Sequence, residues 1–216
     1  MVRQEQAVKL FELMQTFGLS ARSVLHVGAN MGQERFHYAA SGASPCIYVE
    51  PIDQIFAILS QNLQELPGHM AVQAVCSDRV GETIQFNIAS TNGESSSMFA
   101  LGEHARLHPE IGYTASQEMV TTTVDRLIAS LQIDARPNVM VIDTQGADLK
   151  VLQGAVETLS HIDAIFVEIS EEPLYEGGCT HEQITAFLKP LGFRLRWMEL
   201  NQFLWGDAFY CRPQAR

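Results

Sequence analysis

The sequence predicts an α/β domain in which a mostly parallel sheet is covered by helices on both faces. Three observations carry this. Short apolar runs at residues 24–27, 46–49, 139–142 and 164–167 have strand length and almost no polar positions, as strands buried on both faces require. Longer stretches of helical spacing alternate with these runs over short connections, the pattern of parallel crossover units. The chain has 216 residues, 46% hydrophobic and 18% charged, enough to build one core and too apolar for disorder.

The elements follow in order. Val8, Leu10, Phe11, Leu13, Met14 and Phe17 recur at helical spacing before Gly18, which predicts an amphipathic helix within residues 1–20. The run 24–27 is a first strand ending at Gly28, followed by a helix over 31–41. The run 46–49 is a second strand ending at Glu50-Pro51. Ile55, Ile58, Leu59, Leu63 and Leu66 mark the next helix, closed by Pro67-Gly68, and 70–75 is a third strand. Residues 83–89 alternate like a strand. Residues 90–118 show no sustained period and read as a long functional loop, a lid or substrate segment. Asp125 is expected to cap a helix at 124–127. Strand 139–142 ends at Asp143, a helix covers 149–159, and strand 164–167 ends at Glu168. Thr180 and Gln183 form a capping-box pattern opening a helix to about 188. Residues 192–198 and 203–211 read as a closing antiparallel hairpin. No repeat, linker or low-complexity stretch divides the chain, so residues 1–216 are expected to form one domain.

Charge and cysteine usage exclude several classes. A formal net charge of −11, with no Lys/Arg stripe, disfavours a nucleic-acid partner and sits more easily with a neutral or cationic small substrate. Cys46, Cys76, Cys179 and Cys211 form no C-x-x-C pair, against a zinc site or a dense disulfide framework. The start Met1-Val2-Arg3-Gln4-Glu5 lacks the apolar stretch of a leader, and no run approaches the ~20 apolar residues of a membrane span. The expected location is the cytoplasm, with no membrane partner.

Parallel strands joined by right-handed crossovers bring their C-terminal ends to one edge, where open α/β sheets bind ligands. Gly28, Glu50, Asp143 and Glu168 arrive there. Gly28 permits a tight turn, Gly32 close helix–strand packing, and the N–H groups at such a helix start suit a carboxylate or phosphate. The turn is G-x-x-x-G with Asn30 inside it, not the G-x-G-x-x-G dinucleotide fingerprint. By itself it serves equally well as a bare connection. Glu50, however, follows Gly28 by 22 residues, near the ~20-residue spacing at which an acid meets ribose hydroxyls. Together, turn and acid predict a nucleoside site.

Several blocks in order resemble the FkbM-type branch of class I methyltransferases: VLHVGANMGQE (24–34), YVEPID (48–53), AVCSDRVGE (74–82), ESSSM (94–98), TTVDRL (122–127) and VIDTQGADLKVLQGA (141–155). The resemblance implies a Rossmann-like fold with a mostly parallel seven-stranded sheet, helices on both faces and a C-terminal antiparallel hairpin. It implies S-adenosylmethionine as cofactor and usually a hydroxyl acceptor. Carried over by position, Gly28, Ala29, Asn30 and Gly32 cradle the methionine end, and Glu50 holds the ribose beside Pro51 and Ile52. Ser77 and Asp78 lie near the adenine edge, Ser97 in the long loop, and Asp143 faces the methionine or the reaction centre. His26 stands where many class I members have an acid.

Methyl transfer to an alcohol requires alignment and removal of the acceptor proton, with no metal or covalent nucleophile. Candidate bases are Asp143, Glu168 and the loop histidines His104 or His108. Asp143 serves equally well as a cofactor-orienting carboxylate, and a histidine in a polar loop is ordinarily exposed. Ser95, Ser96 and Ser97 read as a flexible polar tract unless the family role applies. Gln145 can point at the acceptor, Gly146 permits the turn into the next helix, and Asp148 falls inside that helix, against a metal. The expected activity is O-methylation of a small molecule, natural product or glycan. The rivals are an NAD-dependent oxidoreductase, opposed by the missing glycine and the lack of a Tyr-x-x-x-Lys pair, and a non-catalytic nucleoside-binding member.

Overall fold

A computed structural model describes residues 2–213; Met1, part of the terminal segment cited above, and residues 214–216 lie outside the described residues. In chain order the elements are α1 (Val2–Thr16), β1 (Val24–Val27), α2 (Arg35–Ser41), β2 (Cys46–Val49), α3 (Asp53–Leu63), β3 (His69–Val72), β4 (Val75–Cys76) and β5 (Thr83–Ala89). They continue with α4 (Glu103–Leu107), β6 (Tyr113–Thr122), α5 (Val124–Ser130), β7 (Val139–Ile142), α6 (Asp148–Gln153) and α7 (Val156–Leu159). The last four are β8 (Ala164–Ser170), α8 (His181–Leu188), β9 (Arg194–Leu200) and β10 (Trp205–Cys211).

Seven strands form one sheet in the order β3-β2-β1-β7-β8-β10-β9, parallel except for the antiparallel β10, which pairs with both β8 and β9. The fold class is thus the predicted one. Strand periodicity splits the core in two. Leu25, Val27, Met140, Ile142, Ile165 and Val167 face one way and pack against Leu127, Val151, Leu152 and Leu188 of α5, α6 and α8. Val24, Val139, Val141, Ala164 and Phe166 face the other way, against Leu10, Tyr38 and Leu59 of α1, α2 and α3. Four-residue strands buried on both faces explain why the runs are almost wholly apolar.

Several expectations need correction. The third strand is two pieces: β3 stays in the main sheet, while β4 leaves it to pair with β6. The stretch 90–118 is not structureless. It contains α4 and the start of β6, which runs antiparallel to β5 and completes a three-stranded sheet, β4-β6-β5. This strand was hidden because both of its faces carry polar residues, Gln117 and Thr121 on one and Thr114, Ser116, Glu118 and Thr122 on the other, so alternation carries little apolar contrast. The small sheet presses Phe86, Ile84, Ile88 and Met98 onto Ile52 and Ile55, roofing the edge beyond β2.

The helix expected over 149–159 is broken into α6 and α7 at Gly154, where a Cβ would overlap the carbonyl of Ser77. The helix expected over 31–41 begins only at Arg35, because Asn30 and Gly32 adopt left-handed backbone (φ 47° and 70°). Strand β8 continues to Ser170, placing Glu168 within the strand. The N-cap of α5 is Thr123, whose hydroxyl accepts the Arg126 N–H. Asp125 instead accepts the N–H groups of Glu157 and Thr158, capping α7 from outside its own helix. The predicted capping box at Thr180 and Gln183 forms in full.

Among the described residues, no helix is long and apolar enough to cross a membrane.

Candidate functional site

The parallel strand ends converge on a cleft lined by residues from the ends of β1, β2, β4 and β7, the edge at which open α/β sheets bind ligands. Its floor is Gly28, which leaves β1 with φ 84°. A Cβ at Gly28 would overlap the Asp143 carbonyl, so only glycine lets the ends of β1 and β7 approach this closely.

The turn and the acid meet directly. The Asn30 N–H donates to Glu50 Oε2 at 3.1 Å, and the Ile52 N–H donates to Oε1 at 2.9 Å. Glu50 is buried, and these bonds fix its carboxylate at the cleft wall. The turn's N–H groups, expected to be available for an anion, are committed elsewhere. Gly28 and Ala29 donate to the Val49 carbonyl, Met31 to the Asn30 side chain, and Gly32 to the Ala29 carbonyl. The turn therefore contributes shape and carbonyl oxygens, and α2 starts too far on to offer its N-terminus.

Pro51, Ile52, Val75, Cys76, Phe86 and Met98 make the apolar end of the cleft. Gly93 closes its roof with φ 83°, and the Asn30 side chain reaches across to the Asn92 carbonyl at 3.4 Å. A flat heterocycle at the apolar end, vicinal hydroxyls at Glu50 and a polar chain towards Gly28 and Asp143 fit this lining, which is the arrangement of an adenosyl amino acid.

Of the residues predicted to bind cofactor, Gly28, Asn30, Glu50, Pro51, Ile52 and Asp143 line the cleft together. Ala29, Gly32, Ser77, Asp78 and Ser97 do not. Ala29 packs in the core on the α1 side. Gly32 lies under the side chain of Leu59. Ser77 donates to Asp78, which pairs with Lys150 at 2.9 Å. Partial burial pushes the Asp78 carboxyl up, but Lys150 and Ser77 outweigh it and hold it below its ordinary value. The serine tract is buried, not flexible. Ser96 accepts the Ala89 N–H, and Ser97 donates to the Gln145 carbonyl at 2.7 Å, tying the roof to the loop after β7.

At the other end of the cleft, Gln145 organises the acids. Its amide nitrogen donates to Asp143 at 2.6 Å and to Glu168 at 3.0 Å, while its amide oxygen accepts the Tyr175 hydroxyl at 2.6 Å. Gln145 has φ 53°, a backbone state that non-glycine residues adopt at some expense and that collects at functional sites. Burial first, and then the nearby Glu168 charge, push the Tyr175 phenol well above its ordinary value, so it remains a donor.

His104 is buried rather than exposed. Its ring stands 5.2 Å from those of Tyr175 and His108, and Nδ1 meets no hydrogen-bond partner among the described residues. Burial, reinforced by His108, lowers its pKa and favours the neutral ring. Asp143 and Glu168 thus share one amide, whereas His104 stands behind Tyr175. Glu171 and Glu172 are exposed, as a solvated turn should be.

Two smaller cavities adjoin. One lies under α1 and shares Asp143 with the main cleft; another lies between Glu168, Asp148 and Tyr175. Residue-level reasoning missed Tyr175, Phe86 and Asp207. Asp207 carried a readable signal, a lone acid within the apolar run 203–211. No group of three or more His, Cys, Asp or Glu among the described residues is arranged to hold a metal ion.

The chain is similar to the hexuronic acid methyltransferase AglP of Haloferax volcanii, 25% identical over 148 residues that make up 66% of this chain and 54% of that protein. It thus spans about half the length of that curated relative. Magnesium protoporphyrin IX methyltransferase from Synechocystis PCC 6803 has a similar fold. Its structure with bound S-adenosylhomocysteine matches at a TM-score of 0.55 and 9% identity, covering 97% of this chain and 83% of that one. The same enzyme with bound S-adenosylmethionine matches at 0.53 and 10%, covering 97% and 79%. The family model described as the methyltransferase FkbM domain matches residues 26–195, from the first strand to the start of the C-terminal hairpin. The chain therefore belongs to the FkbM methyltransferase family, whose cofactor is S-adenosylmethionine.

Proposed function

We propose that the chain is a single-domain, S-adenosylmethionine-dependent O-methyltransferase whose acceptor is a hydroxyl of a small molecule, natural product or glycan. The observation that carries this reading is the bond from the Asn30 N–H to the Glu50 carboxylate within one cleft. It supports a single adenosyl ligand gripped by both elements. Glu50 accepts the ribose hydroxyls, and Pro51, Ile52, Cys76, Phe86 and Met98 enclose the adenine. Gly28 and Asn30 follow the amino-acid portion towards Asp143. Ala29, Gly32, Ser77, Asp78 and Ser97 support these walls from behind.

When bound, the cofactor supplies a methyl carbon activated by its sulfonium. The chain's own residues hold the acceptor oxygen in line and take its proton as the C–O bond forms and the C–S bond breaks. Asp143 and Glu168, held together by Gln145, are the carboxylates placed to receive that proton. His104 acts on them only through Tyr175.

The name of the Haloferax relative supports a glycan-type acceptor. The charge of −11 speaks against a nucleic acid, and four free thiols suit a reducing cytoplasm. Thermal stabilisation separates this reading from a dinucleotide enzyme, because a ligand that binds the folded state raises its melting temperature. S-adenosylhomocysteine should stabilise the protein and NAD should not; the reverse result overturns the assignment. Transfer of labelled methyl to a hydroxyl library, with base-stable ether products, tests O-methylation.

A further inference from the structure

Glu94, Ser96 and Met98 line the adenosyl cleft, but Ser97 does not. It is completely buried. Its backbone is held by Asn87 of β5, whose N–H donates to the Ser97 carbonyl at 2.8 Å and whose carbonyl accepts the Ser97 N–H at 3.1 Å. With the main chain pinned, the hydroxyl is committed on both sides. It accepts the Phe99 N–H at 3.1 Å, and its own hydrogen goes to the Gln145 carbonyl at 2.7 Å. A carbonyl cannot donate, so the direction of that bond is fixed.

The residue it grips is under backbone strain. Gln145 has φ 53° and Gly146 φ 93° in the tight turn from β7 to α6. A residue with a β carbon leaves that left-handed state unless its surroundings hold it there. Two contacts hold Gln145 from opposite ends, Ser97 on the backbone carbonyl and Tyr175 on the side-chain oxygen. Tyr175 lies directly over the turn, where a Cβ on Gly146 would meet its ring at 2.9 Å. The register of β7 and β8 pairs Ile142 with Val167, which sets Asp143 beside Glu168. The Gln145 amide nitrogen carries two hydrogens, and with the amide oxygen on Tyr175 one hydrogen goes to each acid. Were Gln145 to relax to right-handed or extended backbone, its Cα–Cβ bond would swing round and the nitrogen would lose at least one of them.

Resting on the reading of Asp143 and Glu168 as the carboxylates that take the acceptor proton, we propose that Ser97 is a positioning residue for that pair. Its hydroxyl holds the Gln145 backbone in the strained state from which one amide reaches both acids. Ser97 acts only through Gln145, without touching cofactor or acceptor. One roof segment thus shapes the cofactor wall with Ser96 and Met98 and sets the acids with Ser97.

The test follows the side-chain NH2 of Gln145 by NMR in the whole protein, isotope-labelled and saturated with S-adenosylhomocysteine. In Ser97→Ala that group should exchange its hydrogens about fivefold faster and lose the downfield shift given by two carboxylate acceptors, while S-adenosylhomocysteine affinity stays within about twofold. Ser97→Cys keeps most of the bulk, replaces the hydroxyl by a weak donor and should do the same; it supplies the measurement should the alanine variant not fold. A lowered melting temperature with native Gln145 signals makes Ser97 a structural clamp and overturns the proposal. In turnover with acceptors from the hydroxyl library, kcat should fall about fivefold with KM for S-adenosylmethionine within about twofold. A Gln145 amide that moves while kcat holds overturns the two carboxylates as proton acceptors and leaves the positioning intact. Failure of S-adenosylhomocysteine to bind the native protein removes the methyltransferase reading itself.

Discussion

Glu50→Gln replaces one carboxylate oxygen by an amide nitrogen at a side chain with two tasks, holding the turn and holding the ligand. In the native protein each carboxylate oxygen accepts a backbone N–H, from Asn30 and from Ile52. A glutamine can satisfy only one of them, and its NH2 then faces the other donor. A lost bond to a charged acceptor is worth about 1.5–3 kcal/mol, and an unmade buried N–H costs about 1–3 kcal/mol, so the fold should lose about 3–5 kcal/mol. At about 2–4 °C per kcal/mol for a chain of this size, the melting temperature should fall by roughly 6–20 °C. The ribose loses one charge-assisted bond as well, which weakens S-adenosylhomocysteine by roughly ten- to 150-fold. Differential scanning calorimetry and titration calorimetry read the two effects separately. A fall in melting temperature with Kd changed by less than about twofold would leave Glu50 a structural clamp and refute its ribose role. An unchanged melting temperature would refute the account of the turn.

Three further outcomes follow from specific contacts. The carboxyl of Asp148 is pushed up to about 6, chiefly by burial, against the Thr144 bonds and with the Asp143 charge raising it further. A folded value above the unfolded one means the native state holds the extra proton between about pH 4 and 6, so the stability from this group is lost as pH rises through that window. Asp148→Asn, measured by urea unfolding, should therefore gain on the wild type by up to about 3 kcal/mol between pH 4 and 7; a constant gap contradicts it. Tyr175→Phe removes the hydroxyl that anchors Gln145, and should lower stability by about 1 kcal/mol and kcat/KM by about tenfold with S-adenosylhomocysteine affinity unchanged. Because Asp125 caps α7 while Thr123 caps α5, Asp125→Ala and Thr123→Ala should each cost about 0.5–2 kcal/mol in chemical denaturation; a cost below about 0.3 kcal/mol for either contradicts its cap.

The main sheet was legible because its strands are short and buried on both faces, so Cys46–Val49 and Val139–Ile142 stand out as apolar runs whose ends mark the ligand edge. Glu50 was legible for the same reason, as an acid at a strand end at a telling distance from a glycine turn. What failed has common causes. Strand β6 lies outside the main sheet with half of its side chains exposed, so its pairing rests largely on backbone bonds that leave no clear apolar period. The break between α6 and α7 depends on Gly154 meeting Ser77, and the bond from Asp125 to α7 spans more than 30 residues. Ser97 read as part of a polar tract, and Tyr175 was missed, because their partner, Gln145, comes from another element. Local pattern shows which face a residue needs; it does not show which distant backbone will be there.

The choice of glutamine at the acidic edge has a physical logic of its own. Asp207 is paired across the sheet with both Glu168 and Glu199, and like charges in such positions oppose folding by about 0.2–1 kcal/mol per pair. Amides help to hold these acids in place: Gln145 bridges Asp143 and Glu168, and Gln6 donates to both oxygens of Asp207. An amide fixes carboxylate geometry through hydrogen bonds while leaving each carboxylate further lone pairs, so Asp143 and Glu168 are oriented and can still accept a proton from a hydroxyl.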